Sequence, residues 1–258
     1  MAANSTTINN SANLSDTPLL CVQNIEISRQ QAGKWLPIIQ NVSLELHAGE
    51  MAVLVGPSGC GKSMTAHALV GLLETGLRLT GGHIFYKGED ISRYNERRLQ
   101  QLRREEIALL IQHSLSGLDP IRTVRRQMVE TLKLQAKRPR KEKESYLGAL
   151  LERIGFADPA AILDAYPFEL SGGMRQRVLL AMMLSTEPTL FIADEPTTAL
   201  DALNRDRVLA LLKQLQADFG LTVLLISHDE QSVRKFADRV ISMQPDGMAS
   251  VQTKGSVL

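Results

Sequence analysis

Eight consecutive residues, Gly56, Pro57, Ser58, Gly59, Cys60, Gly61, Lys62 and Ser63, satisfy the pattern GxxxxGK[ST]. Glycines at this spacing let the backbone curl until its amide hydrogens point inward at phosphate oxygens. A helix beginning beside them adds the positive end of its dipole. Lys62 supplies a full charge for the β and γ phosphates of a nucleotide. Ser63 supplies a hydroxyl for Mg2+, which keeps most of its shell from phosphate and water. Further along, the apolar run Leu190–Ala193 ends in Asp194 and Glu195. Two adjacent acids can divide the labour: Asp194 holds Mg2+ through water, and Glu195 orients a water nucleophile.

Such residues need a frame. Met51–Val55 is a continuous apolar run that stops at glycine, the mark of a buried parallel strand, and Lys62–Leu73 has helical character. Leu20–Ile27 and Val42–Leu46 alternate as half-buried strands, and the pair Gly81 and Gly82 introduces an antiparallel strand His83–Tyr86. A charged helix Arg97–Arg104 and a strand Ile107–Ile111 follow, and from about His113 to Tyr166 the periodicity is mostly helical, the pattern of an inserted lobe. Helix Gly173–Leu184, strand Thr189–Ala193, helix Ala202–Phe219 and strand Leu221–Ser227 then alternate. This order predicts an α/β fold with a mainly parallel sheet and helices on both faces, in which ligands sit beyond the carboxyl ends of the strands.

Composition narrows the classes. The chain has 258 residues, 44% of them hydrophobic, enough for one α/β domain carrying an inserted lobe. No apolar stretch approaches the roughly 18–20 residues that cross a bilayer. Residues 1–19 are polar and read as a disordered, uncleaved tail before a domain over 20–258. Cys21 and Cys60 are far apart and suggest neither a disulfide framework nor zinc, and the five histidines have no ligand spacing. A net charge of +1 makes no case for nucleic acid, and the basic cluster Lys137–Lys143 interleaves with Glu142 and Glu144 as a solvated surface does.

Leu170, Ser171, Gly172 and Gly173, followed by Met174, Arg175 and Gln176, resemble the signature motif of ABC ATPases. A serine hydroxyl and free amides at a helix start form a second phosphate receptor, which the resemblance assigns to the ATP of an opposite subunit. The resemblance runs from about Leu20 to Asp238. It implies the P-loop ABC ATPase fold, with an N-terminal antiparallel β subdomain and a helical subdomain inserted at about 113–175. It also implies ATP and Mg2+ as cofactors, with ATP held by Gly56 through Ser63 and by Met64. Gln112, after the strand Ile107–Ile111, is implied to touch Mg2+ or the attacking water beside Ser63 and Asp194. Asp201 is implied to lie at the dimer seam, and His228 to contact the γ phosphate and share catalysis with Glu195 and Gln112. A monomer is then expected to be nearly inactive.

Tyr166, Pro167, Phe168 and Glu169, the stretch Ala193–Asp201, and Ser114 through Pro120 are similar to the peptide and nickel importer branch of that family. The branch implies two transmembrane permeases, an extracytoplasmic binding protein and a second, non-identical ATPase, with this subunit peripheral at the cytoplasmic face of the bacterial inner membrane. The cargo stays open among nickel, a metal chelate and short peptides. The sequence stops soon after Asp238–Met243, without the long C-terminal extension of many peptide-importer ATPases, which favours nickel or a chelate. Ile25–Gly33 contains no aromatic residue to stack on adenine. Trp35 is the nearest candidate, a core role at a strand edge competes with it, and the adenine contact is unassigned. The rival class, a soluble ABC ATPase acting on DNA or ribosomes, would carry long coiled coils or two engines in one chain, and neither is present. A P-loop kinase or switch GTPase would leave Ser171–Gly173 and His228 unexplained.

Overall fold

Met51–Val55 is buried at all of its positions, and in the computed structural model it forms β3, an interior strand of a six-stranded sheet. The structure describes residues 17–112, 117–133, 140–198, 201–244 and 249–253. The expected polar tail up to residue 16, Ser114–Ser116 and Lys137–Pro139 of the basic cluster lie outside the described residues.

The sheet runs β10 (Ala249–Thr253), β9 (Arg239–Met243), β3, β8 (Thr222–Ser227), β7 (Leu190–Asp194), β6 (Ile107–Leu110). From β9 to β6 all neighbours are parallel, and only β10 is antiparallel. Alternate side chains of these strands feed two separate cores. Val53, Phe191, Ala193 and Leu225 join one, with helices α3 (Val124–Lys133), α4 (Arg140–Arg153), α5 (Pro159–Asp164), α6 (Gly172–Leu184) and α7 (Ala202–Phe219). Leu54, Ile192, Leu224 and Ile226 join the other, with α1 (Lys62–Leu69) and a second sheet. A strand covered on both faces has no use for polar alternation, which is why these segments read as unbroken apolar runs.

The second sheet is antiparallel, in the order β2 (Lys34–Leu46), β1 (Leu20–Gln31), β4 (Leu77–Tyr86), β5 (Glu89–Asp90). Here the structure corrects two expectations. Gly81 and Gly82 lie inside β4 rather than before it, at a register shift against β1; a Cβ on Gly82 would stand 2.4 Å from the Asn24 carbonyl oxygen. The first helix stops at Leu69, not Leu73, because Gly71 at φ +65° closes it: the Leu72 amide donates to the His67 carbonyl and the Gly71 amide to that of Ala68. The short α2 (Glu96–Glu105) is capped by Asn95, whose side chain accepts from the Arg98 amide. β9 and the short α8 (Glu230–Arg234) were not anticipated, although β9 flanks β3 directly.

An ionic cluster fastens β3 at its start. Asp238 accepts from the Met51 amide at 2.9 Å and from Lys213 at 2.6 and 2.7 Å. Burial opposes ionisation of Asp238, but the bonds from Lys213 and Met51 outweigh it and hold the carboxyl below its ordinary range. A lowered folded-state pKa contributes stability that is present above the ordinary carboxylate value, about 3.9, and lost as pH falls through the folded value. Asp238→Asn is therefore expected to lower the melting temperature by about 2–6 °C at pH 7, with the gap from the wild type narrowing below about pH 4. Thermal unfolding followed by circular dichroism at both pH values checks it; a gap that widens in acid would contradict the assignment.

Candidate functional site

Register decides the site. Val55 of β3 pairs with Ser227 of β8, Ile226 of β8 with Asp194 of β7, and Ala193 of β7 with Leu110 of β6. Four parallel strands thus end along one edge. At about 4.8 Å between neighbours, their exits fall within about 15 Å. The segments leaving that edge carry Gly56, His228, Glu195 and Gln112, and all four line one cavity of about 700 Å³ together with Pro57, Ser58, Gly59, Gly61, Lys62, Ser63 and Met64.

The loop from Gly56 to Gly61 has no room for side chains at two points. A Cβ on Gly56 would lie 2.4 Å from the Met243 carbonyl oxygen of β9, and one on Gly61, at φ +103°, 2.4 Å from Ile39 of β2. Both sheets therefore press on the loop and hold its curl. Cys60 is buried beneath it. Lys62 is only 5% exposed, and its ammonium donates to the Gly56 and Pro57 carbonyls, each at 2.9 Å. Carbonyl dipoles neutralise a buried full charge incompletely, so the loop favours a polyanion beside it.

Ser63 donates to Asp194 at 2.9 Å. Asp194 is 2% exposed; burial pushes its carboxyl upward, while the Ser63 bond and the charges of His67 and Lys62 act the other way. The hydroxyl, this carboxylate and the Gln112 amide are hard oxygen donors. They suit Mg2+, which takes few protein ligands and shares phosphate oxygens. A cation between Ser63 and Asp194 would also offset the cost of burying that carboxylate.

Glu195 occupies the left-handed region at φ +47°, unusual for a residue with a side chain, and its amide donates to the Ile226 carbonyl at 3.1 Å. Its carboxylate accepts from Gln112 at 2.9 Å and Thr198 at 2.8 Å, and lies 3.1 Å from Nδ1 of His228. Burial opposes its ionisation, but the bonds from Thr198 and His228 prevail and hold it below the ordinary range. Gln112 thus meets Glu195 directly. Thr198 escaped the sequence reading; its only signal was a hydroxyl three residues beyond an acid.

Ser171 stands apart from this cavity. Exposed, it caps α6 by accepting from the Met174 amide, and with Gly173 it lines a different cavity alongside Gln176, Asn204 and Arg207. Gln176 ties that helix to the loop after Glu195 by donating to the Pro196 carbonyl. Asp201, also exposed, caps α7 through the Asn204 amide, and bonds from that residue hold its carboxyl below the ordinary range.

Residues 39–198 match the family model described as ABC transporter. The dipeptide transport ATP-binding protein DppD of Bacillus subtilis is 37% identical over 240 residues, covering 93% of this chain and 72% of the relative. The chain belongs to the ABC transporter family. A second relative, the peptidoglycan transport ATP-binding protein YejF of Agrobacterium fabrum, is 39% identical over 93% of this chain, which spans only 43% of that longer protein. Among solved structures, the dimeric bacterial ABC transporter cassette MJ0796 superimposes with a TM-score of 0.75 at 25% identity, over 91% of this chain and 98% of its own. The fold of this ABC protein is the expected one: a parallel core, an antiparallel β sheet from the N-terminal part and helices inserted between β6 and β7.

Trp35 departs from the strand-edge core role considered for it. It sits on the edge strand β2, but it is 39% exposed, with the Arg78 guanidinium 5.9 Å from its ring centre. A guanidinium over an indole ring is attracted by the ring's electrons and suits a ring that is left partly in solvent.

Proposed function

We propose that this chain is the ATP-binding and ATP-hydrolysing subunit of an importer, working at the cytoplasmic face of the bacterial inner membrane. ATP and Mg2+ bind at Lys62, Ser63 and Asp194. Glu195 orients the attacking water, with Gln112 and His228 beside it. Mg2+ supplies charge neutralisation on the phosphates; the chain's own residues bind the triphosphate, hold the base ionised and exclude competing geometry.

The observation that carries this reading is the separation of Ser171 from the chain's own phosphate loop, each lining a different cavity. A phosphate receptor turned away from its own nucleotide is useful to a second subunit's nucleotide. The dimeric state named for the solved cassette fits two ATP molecules held between head-to-tail subunits, with Asp201 at the seam. The second subunit is a non-identical ATPase, and ATP-driven closure of the pair moves two permeases supplied by an extracytoplasmic binding protein.

A docking surface for the permeases is supported at the helical lobe. Ile121 is 83% and Phe168 68% exposed, and their segments are neighbours, joined by the Val124 amide to the Ala165 carbonyl and by Arg125 to Asp164 at 2.8 Å. Large apolar side chains left in solvent on neighbouring segments suit a surface that a partner covers. Among the described residues no helix is long and apolar enough to cross a membrane. The dipeptide named for the Bacillus subtilis relative favours short peptides as cargo over nickel or a metal chelate.

The test is a structure of the complex with its companion ATPase and permeases, loaded with ATP in a hydrolysis-blocked form. Ser171 Oγ is expected within hydrogen-bond distance of a γ phosphate held by the companion; a separation of more than ~10 Å would overturn the shared-site reading. Uptake of labelled dipeptide against labelled nickel by cells with and without the chain separates the two cargo classes.

A further inference from the structure

Between the last residue of β8, Ser227, and the first of α8, Glu230, the chain turns on two residues, His228 and Asp229. The side chain of His228 is 57% exposed, so packing does little to aim it. Its direction over Glu195 follows from the backbone of this turn. Asp229 has an irregular backbone, φ −101° and ψ 79°, and its side chain holds the turn from both sides. One carboxylate oxygen accepts from the Ser232 amide at 3.2 Å and caps α8; the other accepts from Nη1 of Arg205 at 2.8 Å. The Asp229 amide donates to the Ser227 hydroxyl at 3.1 Å.

Arg205 comes from another element. It lies in the first turn of α7, where its amide donates to the carbonyl of Asp201 at 2.9 Å. Its side chain is three-quarters buried, and Nε has no hydrogen-bond partner among the described residues, so Asp229 is the acceptor that sets where the guanidinium rests. Hydrogen bonds thus link Asp201 to Arg205 and Arg205 to Asp229, the chain carries the path on to the adjacent His228, and His228 meets Glu195.

We propose that Arg205 is a positioning residue of the hydrolytic site: it anchors Asp229, fixes the turn that carries His228 above Glu195, and links that histidine to the start of α7 at Asp201. The inference rests on the reading of this chain as an ATP hydrolase. A second tie between the same segments, Lys235 to Asp206 at 2.6 Å, lies away from the His228 turn and supplies the control for simple fastening of α7.

In the assembled complex, Arg205→Ala lowers kcat for ATP by about tenfold and changes the KM for ATP by less than about twofold, since the phosphate loop is untouched. Arg205→Lys, which keeps a donor for Asp229, recovers kcat to within about threefold of the wild type. Asp229→Asn carries the same test should Arg205→Ala fail to assemble, with a loss of similar size. The double variant Arg205→Ala with Asp229→Asn is no slower than the worse single, because both changes break one linkage. Lys235→Ala keeps kcat within about twofold. Wild-type kcat in Arg205→Ala, equal losses in Arg205→Ala and Lys235→Ala, or multiplying losses in the double variant overturns the proposal. Should the wild-type complex itself show no ATP turnover, the hydrolase reading has failed. An inactive Glu195→Gln beside a normal Arg205→Ala defeats this inference alone.

Discussion

Glu195→Gln is expected to bind ATP within about twofold of the wild type and to hydrolyse it about a hundredfold to ten-thousandfold more slowly, the range typical for loss of a positioned base. The substitution preserves shape, so the cradle of Gln112, Thr198 and His228 around that side chain stays filled. It removes the negative charge that the bonds from Thr198 and His228 hold in its ionised form. Asp194 cannot stand in: it is buried and directed at Ser63. The change therefore separates binding from turnover, and nucleotide should remain trapped in the assembled complex. Phosphate release measured beside equilibrium binding checks both halves. Wild-type turnover would remove Glu195 from the hydrolytic step and leave the water to another group.

Lys62→Ala acts at the other end of the reaction. Its ammonium is the buried cation of the loop and donates to the Gly56 and Pro57 carbonyls. Truncating one member of a buried charge-assisted contact costs about 3 kcal/mol, a loss of affinity on the order of a hundredfold. The fold should survive, because the curl depends on Gly56 and Gly61 pressing against Met243 and Ile39. Isothermal calorimetry with ATP and Mg2+ measures the affinity, and the thermal transition of the nucleotide-free chain serves as the control for folding. Unchanged affinity would contradict the phosphate-loop assignment.

The two variants also divide the site by mechanism. One should lose turnover with binding retained, and the other should lose binding first. A chain that merely held nucleotide as a structural element would show the second effect without the first.

The loop Gly56–Ser63 and the strand ending in Asp194 and Glu195 were legible from local spacing because their chemistry is local. Glycines give a short segment its curl, and a strand buried on both faces announces itself by unbroken apolar residues. The cap at Ser171 was equally readable, since its side chain satisfies an amide three residues on, whereas Asp201, expected only at a dimer seam, also caps α7 in the structure. The first helix's end is likewise local: Gly71 in the left-handed region closes it ahead of the apolar residues Leu72 and Leu73. The bulge at Gly82 is not, because its cause is the Asn24 carbonyl of a partner strand 58 positions earlier in the chain.

By itself the sequence determined the buried strands that end at the site and the helices that follow them, though not β9 or α8, together with which residues can hold phosphate and Mg2+ and, through Leu170–Gln176, the family. The tertiary structure decided which of those residues meet. Strand register brought Gln112, Glu195 and His228 to one edge, and the same packing turned Ser171 toward another cavity. Thr198 on Glu195 and Arg205 on Asp229 belong to that second class. The physical reason is range: backbone propensity and capping act over a few residues, whereas contacts between distant segments are chosen only when the two cores close around the sheet.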